Sequence, residues 1–252
     1  MKPRKLFLFC GLLLLLGACG KKGPVRPLSD QRPGPVSGVE LRQQGPNLLL
    51  SWQLPDKNLD NSPLTKPPQV DIYRMRFAPA NDCPECIDHA SLLFSIDPDL
   101  PTPAIRVADR YLLVDHQVII GQGYRYKLVP RSSDGKNGRA VSLQLVVQPT
   151  VAAPVQLEAT SRDHYVLLSW APLKPVDGET LVGYQVYRQQ AGAKPSLVPL
   201  NSAPVTEARF EDFTPENGIA YIYRVRALIK RGEQTLEGLA SSEVVATPNA
   251  GR

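Results

Sequence analysis

One pattern of short apolar segments occurs twice in this chain, in the same order and at similar spacing. Each copy has a six-residue run ending in Ser-Trp, and a Tyr-Arg pair follows that Trp after 21 residues in the first copy and 17 in the second. The matching segments are NLLLSW at 47–52 with YVLLSW at 165–170, and VDIYR at 70–74 with YQVYR at 184–188. Such an internal repeat predicts two copies of one folding unit within the 252 residues.

A further matching segment lies near the end of each copy. Asp115 and Asp212 each precede a tyrosine, Tyr124 and Tyr221, by nine residues, and a glycine lies three residues before that tyrosine in both copies. Apolar and polar residues alternate through these segments, which is typical of antiparallel strands with one buried and one solvated face. The 25 prolines argue against long helices. We therefore predict an all-β protein.

The two copies resemble fibronectin type III modules, in which a proline precedes the first strand, a tryptophan ends strand B and a Gly-x-x-Tyr-x-Tyr segment begins strand F. The resemblance implies two tandem Ig-like β-sandwiches, here named module 1 (35–149) and module 2 (150–248), with a short tail at 249–252. It also implies that the first tyrosine of strand F bonds back to nearby backbone through its hydroxyl. The core residues that it implies are Trp52, Tyr124, Trp170 and Tyr221.

Residues 1–18 have the features of a secretory signal. Basic residues are followed by 11 apolar residues at 6–16, which is too short for a spanning helix of about 20 residues. The next residues, Gly-Ala-Cys after Leu16, resemble a bacterial lipobox, which implies cleavage before Cys19 and lipidation of that cysteine. The stretch 19–34 is rich in Pro and Gly and is predicted to be a tether that reaches roughly 50 Å. Its opening, CGKKGP, resembles that of the small LptM lipoproteins, which assist assembly of the lipopolysaccharide translocon.

These features predict a lipid-anchored protein of the bacterial cell envelope. Gly20 replaces the Asp that commonly retains such lipoproteins in the inner membrane, so we expect the outer membrane, on the side facing the periplasm. Removal of the signal, with its three basic residues, lowers the net charge from +5 to +2. The basic composition therefore gives little reason to expect a nucleic-acid partner.

Module 1 is longer than module 2, and most of the excess follows Tyr73. This insertion contains Cys83 and Cys86, which we expect to form a disulfide outside the cytoplasm. Two alternatives are a metal site that adds His89 and a nearby acid, and a thiol-active pair. A c-type haem is excluded because Ile87, not His, follows the second cysteine. We expect no metal, no cofactor and no small-molecule substrate.

Two sets of side chains are predicted to share the outward face of neighbouring strands C and F. In module 1, Tyr73 should lie near Arg125 and Lys127; in module 2, the corresponding set is Tyr187, Arg224 and Arg226. Such faces can stack on sugars or bind phosphates, although tyrosine–arginine pairs are also ordinary cross-strand neighbours.

The sequence carries no HExxH, GxSxG or phosphate-loop motif, so we do not expect an enzyme. The predicted function is that of a membrane-anchored binding or assembly module, whose partner is an envelope protein or a glycan such as peptidoglycan or lipopolysaccharide. The insertion of module 1 is the first candidate surface, because module 2 folds without it. The alternatives are a thiol-active envelope factor using Cys83 and Cys86, or a plain structural spacer.

Overall fold

The computed structural model describes residues 29–81 and 90–251, and the all-β prediction is confirmed. Apart from a 3-10 turn at Pro79–Asn81, every regular element in the described residues is a strand. The strands are β1 Ser37–Gln44, β2 Asn47–Gln53, β3 Gln69–Phe77, β4 Ser91–Ile96, β5 Ile105–Val107, β6 Arg110–Asp115, β7 Gly123–Arg131, β8 Val141–Val146, β9 Val155–Arg162, β10 Tyr165–Ala171, β11 Glu179–Gln190, β12 Arg209–Asp212, β13 Tyr221–Arg231, β14 Gln234–Ala240 and β15 Val244–Ala246.

Module 1 is a sandwich of two antiparallel layers. One layer has the order β1-β2-β6-β5 and the other β4-β3-β7-β8. The inward residues of β2 are the alternating apolar ones of the NLLLSW segment, and Trp52 is fully buried against the ring of Tyr111. The period of two therefore places the predicted core residues of module 1 between the layers.

Module 2 repeats this arrangement with the layers β9-β10-β12 and β11-β13-β14, and β15 also pairs with β13. Its core is formed by the equivalent residues, including Trp170, Tyr221 and Tyr223. The sheet pairing within each module thus gives two tandem fibronectin type III-like β-sandwiches.

The two sandwiches share one sheet. Strand β1 of module 1 pairs in parallel with β14 of module 2, through Gln43 with Leu236 and Gln44 with Glu237. The pairing joins the layers β11-β13-β14 and β1-β2-β6-β5 into one sheet of eight strands, counting β15. Residues Gln31–Arg252 accordingly form one compact unit.

The junction also buries the second face of β2. Leu49 and Ser51 lie on the opposite face from Leu48, Leu50 and Trp52, and both are buried as well. They line a cleft together with residues 197–202 of module 2, which lie over the outward face of the module 1 sheet. The second module therefore covers a face that is solvated in an isolated sandwich.

The insertion of module 1 is partly a structural strand. Its residues Ser91–Ile96, a mostly apolar run, form β4, which extends the sheet by pairing with β3. In module 2 no strand pairs with that side of β11, although Val205 bridges to Tyr184. Residues 82–89, including Cys83 and Cys86, lie outside the described residues.

Candidate functional site

The outward face of the β4-β3-β7-β8 sheet in module 1 brings together the predicted surface residues. Tyr73 on β3 lies directly opposite Lys127 on β7, and the Lys127 Nζ lies 5.9 Å from the centre of the Tyr73 ring. Leu92 on β4 lies on the other side of Tyr73 and is 54% exposed. We name this surface, with Arg125 and Phe77, the Tyr73 face.

Arg125 occupies the next outward position along β7. Its guanidinium lies 5.5 Å from the centre of the Phe77 ring and donates from Nε to Gln144 Oε1 at 2.9 Å. Each of the two cations is thus held over an aromatic ring, an arrangement that favours an ordered positive surface.

Within the described part of this sheet face, the acidic side chain is Asp71, and it is already ion-paired. Asp71 is buried and bonds to Arg131, with Nε 3.0 Å from Oδ2, and also accepts a hydrogen bond from Ser95. Within the described residues, Arg125 and Lys127 are the cationic side chains of the Tyr73 face, and such side chains favour anionic groups on a partner.

The equivalent tyrosine of module 2 is not open to solvent. Tyr187 is only 4% exposed, because its hydroxyl donates to Glu237 Oε1 at 2.5 Å and accepts from Gln44 Nε2 of module 1 at 3.2 Å. Burial, followed by the charge of Glu237, raises the pKa of Tyr187 well above its ordinary value. The prediction of an exposed face was therefore wrong for Tyr187.

Arg226 belongs to the same buried cluster. Its Nε lies 3.7 Å from Glu237 Oε1, and its Nη1 donates to Gly238 O at 2.7 Å. Arg42 of module 1 lies 3.5 Å from the second carboxylate oxygen of Glu237. Burial lowers the pKa of Arg226 below its ordinary value. Glu237 thus contacts both modules. The sequence does not predict this role, because a glutamate is usually found on the protein surface.

Arg224 lies beside the buried cluster and is also engaged. It bonds to Glu243 through Nη2 and to Gln189 through Nη1 at 2.9 Å. Tyr187 lies opposite Arg224, as predicted from the sequence. The contact of module 1 with this part of the sheet was not predicted.

Each sandwich also contains a buried Arg–Asp–Tyr triad that sequence analysis missed. In module 1, Asp115 Oδ2 accepts from Tyr126 at 2.5 Å and from Arg74 Nη1 at 2.6 Å. In module 2, Asp212 Oδ2 accepts from Arg188 Nη1 at 2.7 Å and from the Tyr223 hydroxyl at 2.9 Å. Two repeated features of the sequence could have predicted the triads: the Tyr-Arg pair and the second tyrosine of strand F occur in both copies. Because each triad is enclosed by its own strands, its role is structural.

The predicted tyrosine hydroxyl bonds are present in both modules. The Tyr124 hydroxyl accepts from the Ile119 N–H at 3.0 Å, and the Tyr221 hydroxyl accepts from the Glu216 N–H at 3.2 Å. Both tyrosines and both tryptophans of the core signature are buried.

The remaining predicted sites fall elsewhere. Cys19, Cys83 and Cys86 lie outside the described residues. Within 29–81 and 90–251, no three His, Cys, Asp or Glu side chains are grouped to hold a metal ion. No helix in the same ranges is long and apolar enough to cross a membrane.

No protein-family model matches this sequence. Similar solved structures include the FN1–FN3 domains of chicken CNTN1, at 13% identity over 88% of this chain and 69% of that one, with a TM-score of 0.33. A two-domain fibronectin type III segment of chicken tenascin matches at 13% identity over 84% and 98%, with a TM-score of 0.30. A structure described as a myokine matches at 20% identity over 40% and 99%, with a TM-score of 0.32. At these TM-scores, the fold assignment rests on the strand order and register given above.

Proposed function

We propose that this protein is a lipid-anchored binding or assembly module of the bacterial envelope, without enzymatic activity. Its partner is an envelope protein or a glycan such as peptidoglycan or lipopolysaccharide. The observation that carries the proposal is the difference between two equivalent faces. Tyr187 of module 2 is buried against module 1, whereas on the Tyr73 face of module 1 Tyr73 is half-buried and Leu92 is 54% exposed.

The Tyr73 face has properties that suit recognition. Its cations are held over aromatic rings, so little side-chain freedom is lost when a partner binds. It lies on a rigid sheet and next to the ends of the insertion, since β3 ends at Phe77 and β4 begins at Ser91. Residues 31–252 form one unit, so a partner bound to either module stays in fixed relation to the other.

The anchor is proposed from the sequence. Lipidation of Cys19 with several acyl chains holds a protein at a membrane far better than one chain does, since each buried CH₂ contributes about 0.8 kcal/mol. The tether at 20–34 then allows the modules to stand away from the bilayer. We place the protein in the outer membrane, facing the periplasm.

Replacement of Cys19 by Ser tests the anchor. The variant should accumulate as an uncleaved or soluble species, because the thiol that receives lipid is lost. Membrane fractionation with parallel labelling by a radioactive fatty acid measures this. Wild-type fractionation and labelling in the variant would contradict the lipoprotein assignment.

Charge reversal on the Tyr73 face tests the binding role. Lys127→Glu combined with Tyr73→Ala should reduce recovery of cross-linked partners from detergent-solubilised envelope by at least about tenfold, because charge complementarity and ring contact are both lost. Lys194→Glu, on an exposed loop of module 2, is the matched control. Equal recovery by the two variants would place binding elsewhere.

A deletion separates the face from the insertion. Residues 79–90 are replaced by a short Gly-Ser bridge, which leaves β3 and β4 in place. If the insertion carries the binding surface, the protein stays folded and loses its partner while Tyr73 and Lys127 are intact. An unfolded product would mean that the insertion is structural.

A further inference from the structure

An open hollow lies on module 2, on the outward face of the β9-β10-β12 sheet. Its floor is formed by Tyr165, the first residue of β10, and Phe213, the residue after β12. The two ring centres are 5.1 Å apart and the ring planes are inclined at 43°. Phe213 is 66% exposed, so a large aromatic surface faces solvent at this position. Exposed aromatic rings on a rigid sheet are typical of binding sites.

The sandwich itself does not require this aromatic pair. When the two modules are aligned on their Trp and Asp anchors, Tyr165 corresponds to Asn47 and Phe213 to His116. Module 1 forms the same strands with these polar residues. The aromatic pair of module 2 is therefore an addition to the shared fold.

Polar side chains of both hydrogen-bonding types surround the rings. The hollow has a volume of about 680 Å³ and is rimmed by Arg162, Asp163, His164 and Glu211. Arg162 and His164 supply donors, whereas the two carboxylates supply acceptors. The rim thus has one guanidinium and two carboxylates, one of which is bonded to Arg209, and this favours a neutral polar ligand over a phosphate or a polyanion.

Two contacts fix the rim in place. Asn217 Nδ2 donates to Asp163 Oδ1 at 2.6 Å, and the His164 N–H donates to Asn217 Oδ1 at 2.9 Å. Glu211 is held by a bond from Arg209, so its carboxylate is also oriented before any ligand arrives. The β9–β10 turn places His164 at a φ of 49°, where glycine or asparagine is usually found. The loops around the hollow are therefore ordered by side-chain bonds.

We propose that this hollow is a saccharide-binding site. The C–H face of a pyranose ring packs on the Phe213 and Tyr165 rings, and its hydroxyl or acetamido groups exchange hydrogen bonds with Asp163, Glu211 and Arg162. Planar carboxylate and guanidinium groups can each engage two neighbouring sugar hydroxyls. The ligand class is a neutral glycan with equatorial hydroxyls, as in β-1,4-linked glucose or N-acetylglucosamine. The site lies away from the Tyr73 face and does not depend on the lipid anchor, so it can fail or succeed independently of the proposed function.

The test uses the full-length protein in a detergent without a sugar headgroup, with fluorinated phenylalanine incorporated. The chain has six phenylalanines, and Phe213→Leu identifies the resonance of Phe213. The probes are chitotetraose and cellotetraose, titrated separately and followed by ¹⁹F NMR and by calorimetry. We expect at least one probe to shift the Phe213 resonance with a Kd on the order of 1 mM or below, since the hollow is open and buries only part of a sugar.

Variants identify the contacts. Phe213→Ala and Asp163→Asn should each weaken binding by about tenfold or more, whereas Tyr165→Phe should change it little because the ring remains. Val245→Ala removes an equally exposed apolar side chain outside the hollow and is the matched control. Far-UV circular dichroism establishes whether each variant is folded. If Phe213→Ala does not fold, the affinity of Asp163→Asn for the tetrasaccharides tests the proposal.

Three results overturn the proposal. The first is that neither tetrasaccharide binds at 10 mM, roughly ten times the expected Kd. The second is binding that shifts phenylalanine resonances such as that of Phe77 while Phe213 is unaffected. The third is binding that survives both Phe213→Ala and Asp163→Asn, in which case a protein partner becomes the better explanation of the exposed rings.

Discussion

Each sandwich contains a buried aspartate whose carboxylate accepts hydrogen bonds from an arginine and a tyrosine. Asp115, the last residue of β6, bonds to Arg74 from β3 and to Tyr126 from β7, in the opposite layer of module 1. The Gln117 N–H bonds to its other oxygen at 2.9 Å. Such a charge stabilises the fold only while all of its partners are present, because an unpaired buried charge is costly.

Replacement of Asp115 by Asn should lower the free energy of unfolding by about 3 kcal/mol at neutral pH, since Arg74 loses its counter-charge. Burial alone would raise the pKa of Asp115, but the hydrogen bonds from Tyr126 and Arg74 outweigh it and hold the pKa below its ordinary value. A lowered folded-state pKa stabilises the protein above the unfolded-state value of about 3.9, and this contribution disappears as pH falls through the folded value. In urea titrations, the stability difference between the two proteins should therefore begin to shrink below about pH 4 and vanish once the pH is below the folded-state pKa.

Asp56→Asn is the matched control, because Asp56 is an exposed carboxyl of the same module. It should change the unfolding free energy by less than about 0.5 kcal/mol at any pH. If Asp115→Asn lost the same stability at pH 3 as at pH 7, the ionised triad would not be the source of the effect.

Trp52 is the largest side chain in the core of module 1. Trp52 is fully buried and stacks on Tyr111 with ring centres 5.7 Å apart. Trp52→Ala should cost about 3–5 kcal/mol, because a large cavity replaces the indole. Guanidinium denaturation followed by circular dichroism measures this cost. A value below about 1 kcal/mol would show that the site collapses or that Trp52 is not a core residue.

Strands β1 and β14 would both be sheet edges if the modules were separate. Exposed edges carry unpaired N–H and C=O groups and invite pairing with other chains. Here the two edges pair with each other, and Gly45 N donates to Glu237 O at 2.7 Å. The side chain of Glu237 is enclosed between Tyr187, Gln44 and Arg226. The edges are therefore protected by the junction itself.

Glu237→Ala should uncouple the modules. It leaves Arg226 without its counter-charge and removes the acceptor of the Tyr187 hydroxyl, with an expected cost of about 3 kcal/mol. Calorimetry should then resolve two unfolding transitions where the wild type gives one. Glu243→Gln, which alters an exposed acid bonded to Arg224, is the matched control. A single unshifted transition in Glu237→Ala would mean that backbone pairing alone holds the junction.

The molecule behaves as one unit because its two cores are joined by a shared sheet. Gln43 extends the junction by bonding through Nε2 to Gln148 O at 2.8 Å and through Oε1 to the Gln148 N–H at 2.8 Å. Arg231 of module 2 reaches Pro149 O at 2.9 Å. These bonds fix the segment between the modules, so it is not a free linker. The contacts between the modules leave the Tyr73 face and the hollow of module 2 uncovered.

Wild-type protein should therefore unfold in a single cooperative transition, with equal calorimetric and van't Hoff enthalpies. Far-UV circular dichroism of the folded protein should show β structure with almost no helical signal from residues 31–81 and 90–251. Two well-separated transitions in the wild type would contradict a shared, cooperative unit. Low protein concentration in the calorimeter avoids aggregation of the unfolded state, which would distort both enthalpies.

Local pattern was sufficient to predict the two sandwiches and their cores. Alternation at a period of two assigned Leu48, Leu50 and Trp52 to the buried face, because side chains on a strand point to opposite sides in turn. The repeat then extended the same assignment to module 2. The insertion strand β4 could also be predicted, since its apolar run has the length and composition of a strand.

The junction was decided by the tertiary structure alone. Periodicity states which face of a strand is apolar, but it does not state what covers the other face. Gln44 and Glu237 are separated by 193 positions in the chain, and each is an ordinary polar residue in its own segment. Only when β1 meets β14 do they become buried partners, and only then does Tyr187 lose the exposure that Tyr73 keeps. Contacts of this kind depend on two distant edges meeting in space, which no local pattern encodes.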